Sequence, residues 1–318
     1  MASYLLSVFE TLAGILLLTG SAFVLTLTIE DLGRRGKFSD SFTGSVISPI
    51  FTSLPELVVI IVALLFIGSG SGSEIAVGTI IGEPFMVSAI GFPIMATILL
   101  LAGRNGNRED LDAVLPKIFV FIGLTFPIML VPFYFHFTAV RVSVAIILIF
   151  LYVIFLRFVK GSGLVEEEPK VKIENLKLLV LALVTGIILL LAGSTILVGG
   201  INSLATELNV NRELLSILII PIGGIAPETM NSFIWASRGK MNLAIGALIG
   251  EELLFATLYP ALGIIASQWG ITSQGILAIV LTSSFSILVG LISYRFRRAF
   301  YVYILFFVLL IVFFFFIY

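Results

Sequence analysis

Ser48-Pro49-Ile50-Phe51-Thr52-Ser53-Leu54-Pro55-Glu56 returns in altered form in the second half of the chain as Ile220-Pro221-Ile222-Gly223-Gly224-Ile225-Ala226-Pro227-Glu228. Each stretch has a proline, five residues and then Pro-Glu, and each is set in a long apolar run. A carboxylate inside a membrane span is unfavourable by roughly 2.5 kcal/mol or more, so it marks a functional site by default. Proline removes a backbone donor and breaks a helix, and the carbonyls it releases are tolerated at membrane depth only against protein or a cavity. One Pro-Glu pair reads equally well as a plain kink, whereas two at corresponding positions read as a site. Two interrupted helices, one per half and each with a glutamate, point to a transporter built from repeats around one cation site.

Composition puts these stretches in a membrane. Of 318 residues, 59% are hydrophobic and 12% charged, against about 25% charged in a soluble domain. Phenylalanine is heavily used, and the chain ends in a nearly unbroken apolar run from Phe306 to Tyr318. Such runs suit a span of roughly 20 apolar residues. Cysteine is absent, which excludes disulfides and thiolate metal sites. The N-terminus lacks the basic region of a cleavable signal, so the first apolar run reads as a retained helix. The net charge of -1 carries no information about partners.

Ten spans are expected, and the fold class is all-α transmembrane. The first five run from Tyr4 to Thr28, Phe42 to Gly68, Ile75 to Ala102, Val114 to Phe133 and Thr138 to Phe158. The second five run from Leu176 to Gly200, Leu214 to Ala236, Met241 to Ala266, Gln274 to Ser293 and Ala299 to Tyr318. Cytoplasmic loops are enriched in Lys and Arg. Here 16 of the 18 basic residues fall in the odd-numbered connections or in the span ends that flank them, and the even ones have only Arg141 and Arg212. Both termini are therefore expected outside the cytoplasm, in a multi-pass protein of the cell membrane. Residues 159–174, with Glu166-Glu167-Glu168-Pro169, form a polar linker at the midpoint of the chain, read as solvated and cytoplasmic. It separates a first five-helix repeat, 1–158, from a second, 175–318. An odd number of spans in each half gives the halves opposite topology, as inverted repeats require. Trp235, Trp269, Tyr134 and Tyr318 read as interfacial anchors.

The repeat extends past the Pro-Glu pair. Gly78-Thr79-Ile80-Ile81-Gly82-Glu83-Pro84 follows the first, and Gly246-Ala247-Leu248-Ile249-Gly250-Glu251-Glu252 follows the second. Glycines four apart on a helix form a smooth stripe where another helix can approach closely. Glu56, Glu83, Glu228 and Glu251 are thus four candidate intramembrane carboxylates, with Glu252 as a fifth that has no counterpart in the first half. Buried carboxylates must bind a cation, pair with a basic group or take up a proton. No Lys, Arg or His lies deep in any expected span, which leaves metal ions or protons. Oxygen ligands without cysteine or a nearby histidine suit a hard cation such as Ca²⁺, Na⁺ or Mg²⁺. Carbonyls freed by Pro49, Pro55, Pro221 and Pro227, with the hydroxyls of Thr52 and Ser53, would complete the shell.

Phe51-Thr52-Ser53-Leu54-Pro55-Glu56 resembles the Gly-Thr-Ser-Leu-Pro-Glu signature of the calcium/cation antiporter superfamily, the group that contains the sodium/calcium exchangers. The resemblance implies ten helices in two inverted five-helix repeats with discontinuous helices at a central site. It also implies Glu56 and Glu228 as the central calcium ligands, with Thr52 and Ser53 supplying side-chain or backbone oxygens. The second repeat departs from the signature, because Gly224 and Ile225 replace the Thr-Ser pair. Thr79 and Ala247 stand where sodium/calcium exchangers commonly carry Asn or Asp that help to build sodium sites. Glu83 and Glu251 stand where small polar residues are usual, and carboxylates in place of neutral oxygens favour coupling to protons over several bound Na⁺ ions.

The expected function is exchange of Ca²⁺, or a related divalent cation, against H⁺ or Na⁺. A cation channel or uniporter is the alternative, although channel carboxylates usually form rings from several subunits. An intramembrane hydrolase would need a nucleophile with a base, or a metal with His or Asp ligands, and no cysteine, buried His or Asp lies in an expected span. No enzyme activity and no cofactor are expected. The partners are the lipid bilayer and small inorganic cations, with no nucleic acid and no requirement for an oligomer.

Overall fold

In lipid the backbone has no partner but itself, and helices meet that demand within one segment. Every regular element among the described residues is helical. The computed structural model describes residues 2–35, 53–101, 109–160, 175–222, 241–295, 304 and 307–317. Seven helical stretches are long and apolar enough to cross a membrane: Ser3–Leu25, Ser71–Ile98, Leu115–Tyr134, Thr138–Arg157, Leu176–Leu208, Leu248–Ala266 and Ser273–Arg295. Leu54–Ile67 and Phe307–Phe316 are shorter apolar helices.

The first half comprises α1 (Ala2–Arg35), α2 (Leu54–Val62), α3 (Ser71–Met86), α4 (Phe92–Leu101), α5 (Glu109–Thr125), α6 (Val131–Tyr134) and α7 (Thr138–Lys160). The second comprises α8 (Leu176–Leu208), α9 (212–222), α10 (Met241–Ala256), α11 (Leu258–Ala266), α12 (Ser273–Arg295) and α13 (Phe307–Ile317). The stretch containing α3 is 94% buried, whereas that of α8 is only 22% buried. The helix with the first Gly-x-x-x-Gly-Glu motif is therefore the centre of the molecule, and α8 lies at its periphery.

Glycines set how the two halves meet. A Cβ on Gly14 would stand 2.7 Å from the Leu197 Cα, one on Gly193 would stand 2.9 Å from the Leu17 Cβ, and one on Gly200 would stand 2.7 Å from the Thr11 nitrogen. Residue numbers rise on α1 as they fall on α8, so the two helices run antiparallel. Ser21 Oγ closes this seam by donating to the Gly186 carbonyl at 2.9 Å. The pair α5 and α12 is also antiparallel, with Gly123 against Ser283 and Ile287 and Gly290 against Pro116 and Val120. By contrast, α3 runs parallel to α9: Gly78 faces Glu213 and Ser216, and Gly82 faces Ile217. The smooth stripe expected at Gly78 and Gly82 thus meets a helix of the opposite half.

Prolines interrupt the central helices. Pro260 has no N–H and its ring crowds the carbonyl four residues back, and the chain breaks nearby at Thr257 (φ -134°, ψ -76°), between α10 and α11. The single span expected over Met241 to Ala266 is therefore two helical pieces. Pro84 lies within α3, Pro93 opens α4, and between them Val87–Gly91 widens into a π turn. A second π turn, Ala63–Ile67, ends at Gly68, whose φ of +94° turns the chain into α3.

Trp269 corrects the interfacial reading given above. It is 1% exposed, its indole Nε1 donates to the Met129 carbonyl at 2.9 Å, and its ring packs on Gly263. An anchor at the lipid boundary would keep one edge wet, and this ring instead fills a gap that only a glycine leaves. Tyr134 is 62% exposed, while Trp235 and Tyr318 lie outside the described residues.

Candidate cation site

The first Pro-Glu motif is placed by a helix start. Ser53 precedes α2, Pro55 lies in its first turn where a missing N–H has no consequence, and Glu56 follows in the same turn. A carboxylate there is favoured by the unpaired N–H groups and the positive end of the helix dipole. Glu56 is 2% exposed and Ser53 fully buried.

Glu83 lies on α3 and is fully buried, as is Thr79, whose hydroxyl donates to the Ile75 carbonyl at 2.8 Å. Glu251 and Glu252 lie on α10, 2% and 0% exposed. Helix α3 packs against α2, α10 and α11, so elements of both halves surround it. One link between them is direct: Ser88 Oγ, in the π turn after α3, donates to Glu252 Oε1 at 2.6 Å. Four carboxylates with exposures of 0–2% are held on α3 and on the two helices, α2 and α10, that pack against it.

Thr52, Gly224, Ile225 and Glu228, with Pro49 and Pro227, lie outside the described residues. Among the described residues no group of three or more His, Cys, Asp or Glu side chains is gathered to hold a metal ion. Glu56, Ser53, Glu83 and Glu251 are therefore buried on packed helices, and the group expected around Glu56 includes a member, Glu228, that is not among them.

Two polar contacts escaped the sequence reading. The Tyr259 hydroxyl lies 2.6 Å from Ser53 Oγ and 3.1 Å from the Ser53 carbonyl. Glu213, at the start of α9, accepts from the Thr272 backbone N–H at 3.1 Å and from its hydroxyl at 2.9 Å. Asn211 caps that helix start, its Oδ1 accepting the Glu213 N–H at 2.7 Å. An Asn two residues before a Glu at a helix start was a legible cap. Nothing local distinguishes Tyr259 from the other aromatic residues.

Arg212 completes the polar group near Glu213. It donates to Asn202 Oδ1 at 2.7 Å and lies 3.6 Å from the Glu74 carboxylate. Across the fold, Arg141 of α7 donates to the carbonyls of Ile264 and Ser267 at the end of α11. Both arginines are thus used as clamps on helix ends.

The sequence profile of the family described as "Sodium/calcium exchanger protein" matches residues 6–161 and 178–318. A vacuolar calcium ion transporter of Schizosaccharomyces pombe is 28% identical over 228 residues, covering 61% of this chain and 55% of that protein. The match thus spans about half the length of that relative. Among solved structures, an H⁺/Ca²⁺ exchanger described as CAX aligns over 96% of this chain and 82% of its own, with a TM-score of 0.71 at 17% identity. The sodium-calcium exchanger NCX_Mj, soaked with Na⁺ and Sr²⁺, aligns over 97% of both chains with a TM-score of 0.61 at 21% identity. At these identities the two structures show a shared fold.

Proposed function

Because the chain belongs to the sodium/calcium exchanger family, we propose that it is a membrane antiporter exchanging Ca²⁺, or a related divalent cation, against H⁺ or Na⁺ by alternating access. The observation that carries this reading is the burial of Glu56, Glu83 and Glu251 on packed helices from both halves of the chain. Glu56 and Glu228 hold the cation, and Thr52 and Ser53 add oxygen ligands. Glu83 and Glu251 supply further negative charge. An empty, fully ionised site would be too unfavourable to close off from water. A divalent cation, or protons or Na⁺ on the same carboxylates, neutralises it and allows the change of access.

The proposed architecture is ten helices in two inverted five-helix repeats, 1–158 and 175–318, joined by the acidic linker at 159–174. The antiparallel pairing of α1 with α8 and of α5 with α12 supports it, since corresponding helices of inverted repeats run in opposite directions. Both termini then lie on the non-cytoplasmic side of the cell membrane. Of the two related structures, one is an H⁺/Ca²⁺ exchanger and the other a sodium-calcium exchanger, so likeness alone favours neither ion. Glu83 and Glu251, in place of neutral ligands, favour protons.

The test is Ca²⁺ flux in liposomes holding the purified protein, driven separately by a pH gradient and by a Na⁺ gradient. Flux under the pH gradient, with little response to Na⁺, is the expected outcome. Sigmoidal dependence on Na⁺ at constant pH assigns sodium coupling instead. Flux down the Ca²⁺ gradient without any counter-ion supports the channel reading. Glu56→Gln and Glu228→Gln remove charge at nearly constant shape, and each is expected to abolish divalent transport in protein that still purifies as a folded species. Wild-type flux in either variant removes that residue from the site.

A further inference from the structure

Tyr259 belongs to the second half of the chain, yet its hydroxyl meets the residue that opens the first Pro-Glu motif. It lies 2.6 Å from Ser53 Oγ and 3.1 Å from the Ser53 carbonyl oxygen. A phenol has one proton and a carbonyl has none. The contact with the carbonyl therefore requires Tyr259 to be the donor there. Either hydroxyl can donate in the short contact; with the Tyr259 proton on the carbonyl, Ser53 Oγ donates there to Tyr259 Oη. The Ser53 carbonyl also accepts the Leu57 N–H at 3.2 Å, so both of its lone pairs are engaged.

This arrangement decides which oxygen of Ser53 faces a cation. A hydroxyl ligates a metal ion through its lone pairs, and its proton must be taken by a neighbouring acceptor. Tyr259 Oη is that acceptor. Pro260 and the break at Thr257 fix where α11 begins, and the Tyr259 ring is held edge-on against Phe255 with centroids 4.4 Å apart. Tyr259 is 4% exposed and Phe255 fully buried, so water does not replace the phenol at this contact.

We propose that Tyr259 is a positioning residue of the cation site: by accepting the Ser53 proton it holds Ser53 Oγ in the orientation of a cation ligand, and it does so from the opposite half of the molecule. The proposal rests on the reading of Ser53 and Glu56 as parts of the cation site. It narrows that reading, because Ser53 serves through its side chain while its backbone carbonyl is occupied by Leu57 and Tyr259. It also ties the geometry of the first motif to the break between α10 and α11, so displacement of α11 relative to α2 alters the ligand.

The experiment compares Tyr259→Phe, Ser53→Ala, Ser53→Thr and the Tyr259→Phe/Ser53→Ala double variant in liposomes, reading the Ca²⁺ KM and the maximal flux separately. Tyr259→Phe keeps the ring and its packing and removes only the hydroxyl. It is expected to raise the Ca²⁺ KM about tenfold, the scale of one lost hydrogen bond, with maximal flux changed by less than about twofold. Ser53→Ala should shift KM at least as far, Ser53→Thr should restore it, and the double variant should be no weaker than Ser53→Ala alone. Should Tyr259→Phe fail to purify as a single species, Tyr259→Leu takes its place with the same expected shift. A variant that melts at lower temperature but keeps the wild-type KM has lost only a tether between helices, and that result overturns the proposal. Single effects that multiply in the double variant overturn it as well. Glu56→Gln separates the two readings: wild-type flux there removes the site itself, whereas lost flux there with an unchanged KM in Tyr259→Phe removes only the role given to Tyr259.

Discussion

Glu213 precedes the span expected to begin at Leu214, and burial pushes its carboxyl up to about 7. The Thr272 hydrogen bonds work against that shift and the charge of Glu74 adds to it, while Arg212 lies 3.6 Å from the Glu74 carboxylate. Between the ordinary value of 4.5 and about 7 the folded chain keeps a proton that the unfolded chain has lost. Its contribution to stability is thus fully present below the ordinary value and is lost as pH rises through about 7. Thermal unfolding in detergent should show a wild-type stability that falls over this window relative to Glu213→Gln, by on the order of 1–3 kcal/mol. Parallel pH profiles for the two proteins would show that Glu213 titrates at its ordinary value. The cap at Asn211 was readable, but nothing in Asn211-Arg212-Glu213 announced the burial of Glu213, because an exposed and a buried helix start share the same letters. The burial of Glu56, Glu83 and Glu251 was legible for the opposite reason, since each stands in a long apolar run.

At the scale of elements, Gly78 and Gly82 allow α3 to touch the backbone of α9. A Cβ on Gly82 would stand 2.6 Å from the Ile217 Cα, and one on Gly78 would stand 2.5 Å from the Glu213 carbonyl oxygen. Neither obstacle is a flexible side-chain end, so Gly82→Ala should force the helices apart and lower stability by roughly 1–3 kcal/mol. Gly20→Ala is the control, since nothing lies near its Cβ position. Equal melting temperatures for the two variants would argue against close packing at Gly82. The Gly-x-x-x-Gly spacing was readable from sequence, but its partner was not, because spacing defines a smooth face and says nothing about what covers it. The break at Thr257 was hidden for a related reason. Pro260 is compatible with a kink or with a full interruption, and the outcome depends on neighbours such as Ser53 that take up the displaced helix.

At the scale of the whole molecule, the strongest joins cross the midpoint of the chain. The seam of α1 with α8, that of α5 with α12 and the contact of α3 with α9 each pair one half with the other, as do Ser88 with Glu252 and Trp269 with Met129. Two separately expressed chains, 1–160 and 161–318, are accordingly expected to copurify from one membrane and to restore Ca²⁺ flux together. Recovery of two independent, unassociated halves would contradict these joins. Hydropathy made the long apolar helices readable, whereas the pairings between halves depend on shape at single glycines and could not be read from it.

The contact of α3 with α9 has one more consequence. Its two faces are encoded more than a hundred codons apart, yet a methyl group added at Gly78 or Gly82 is tolerated only if α9 retreats. An altered Gly78 or Gly82 is therefore answered only by a change near Glu213, Ser216 or Ile217. Substitution in one of these distant segments is coupled to the other by the absence of two side chains.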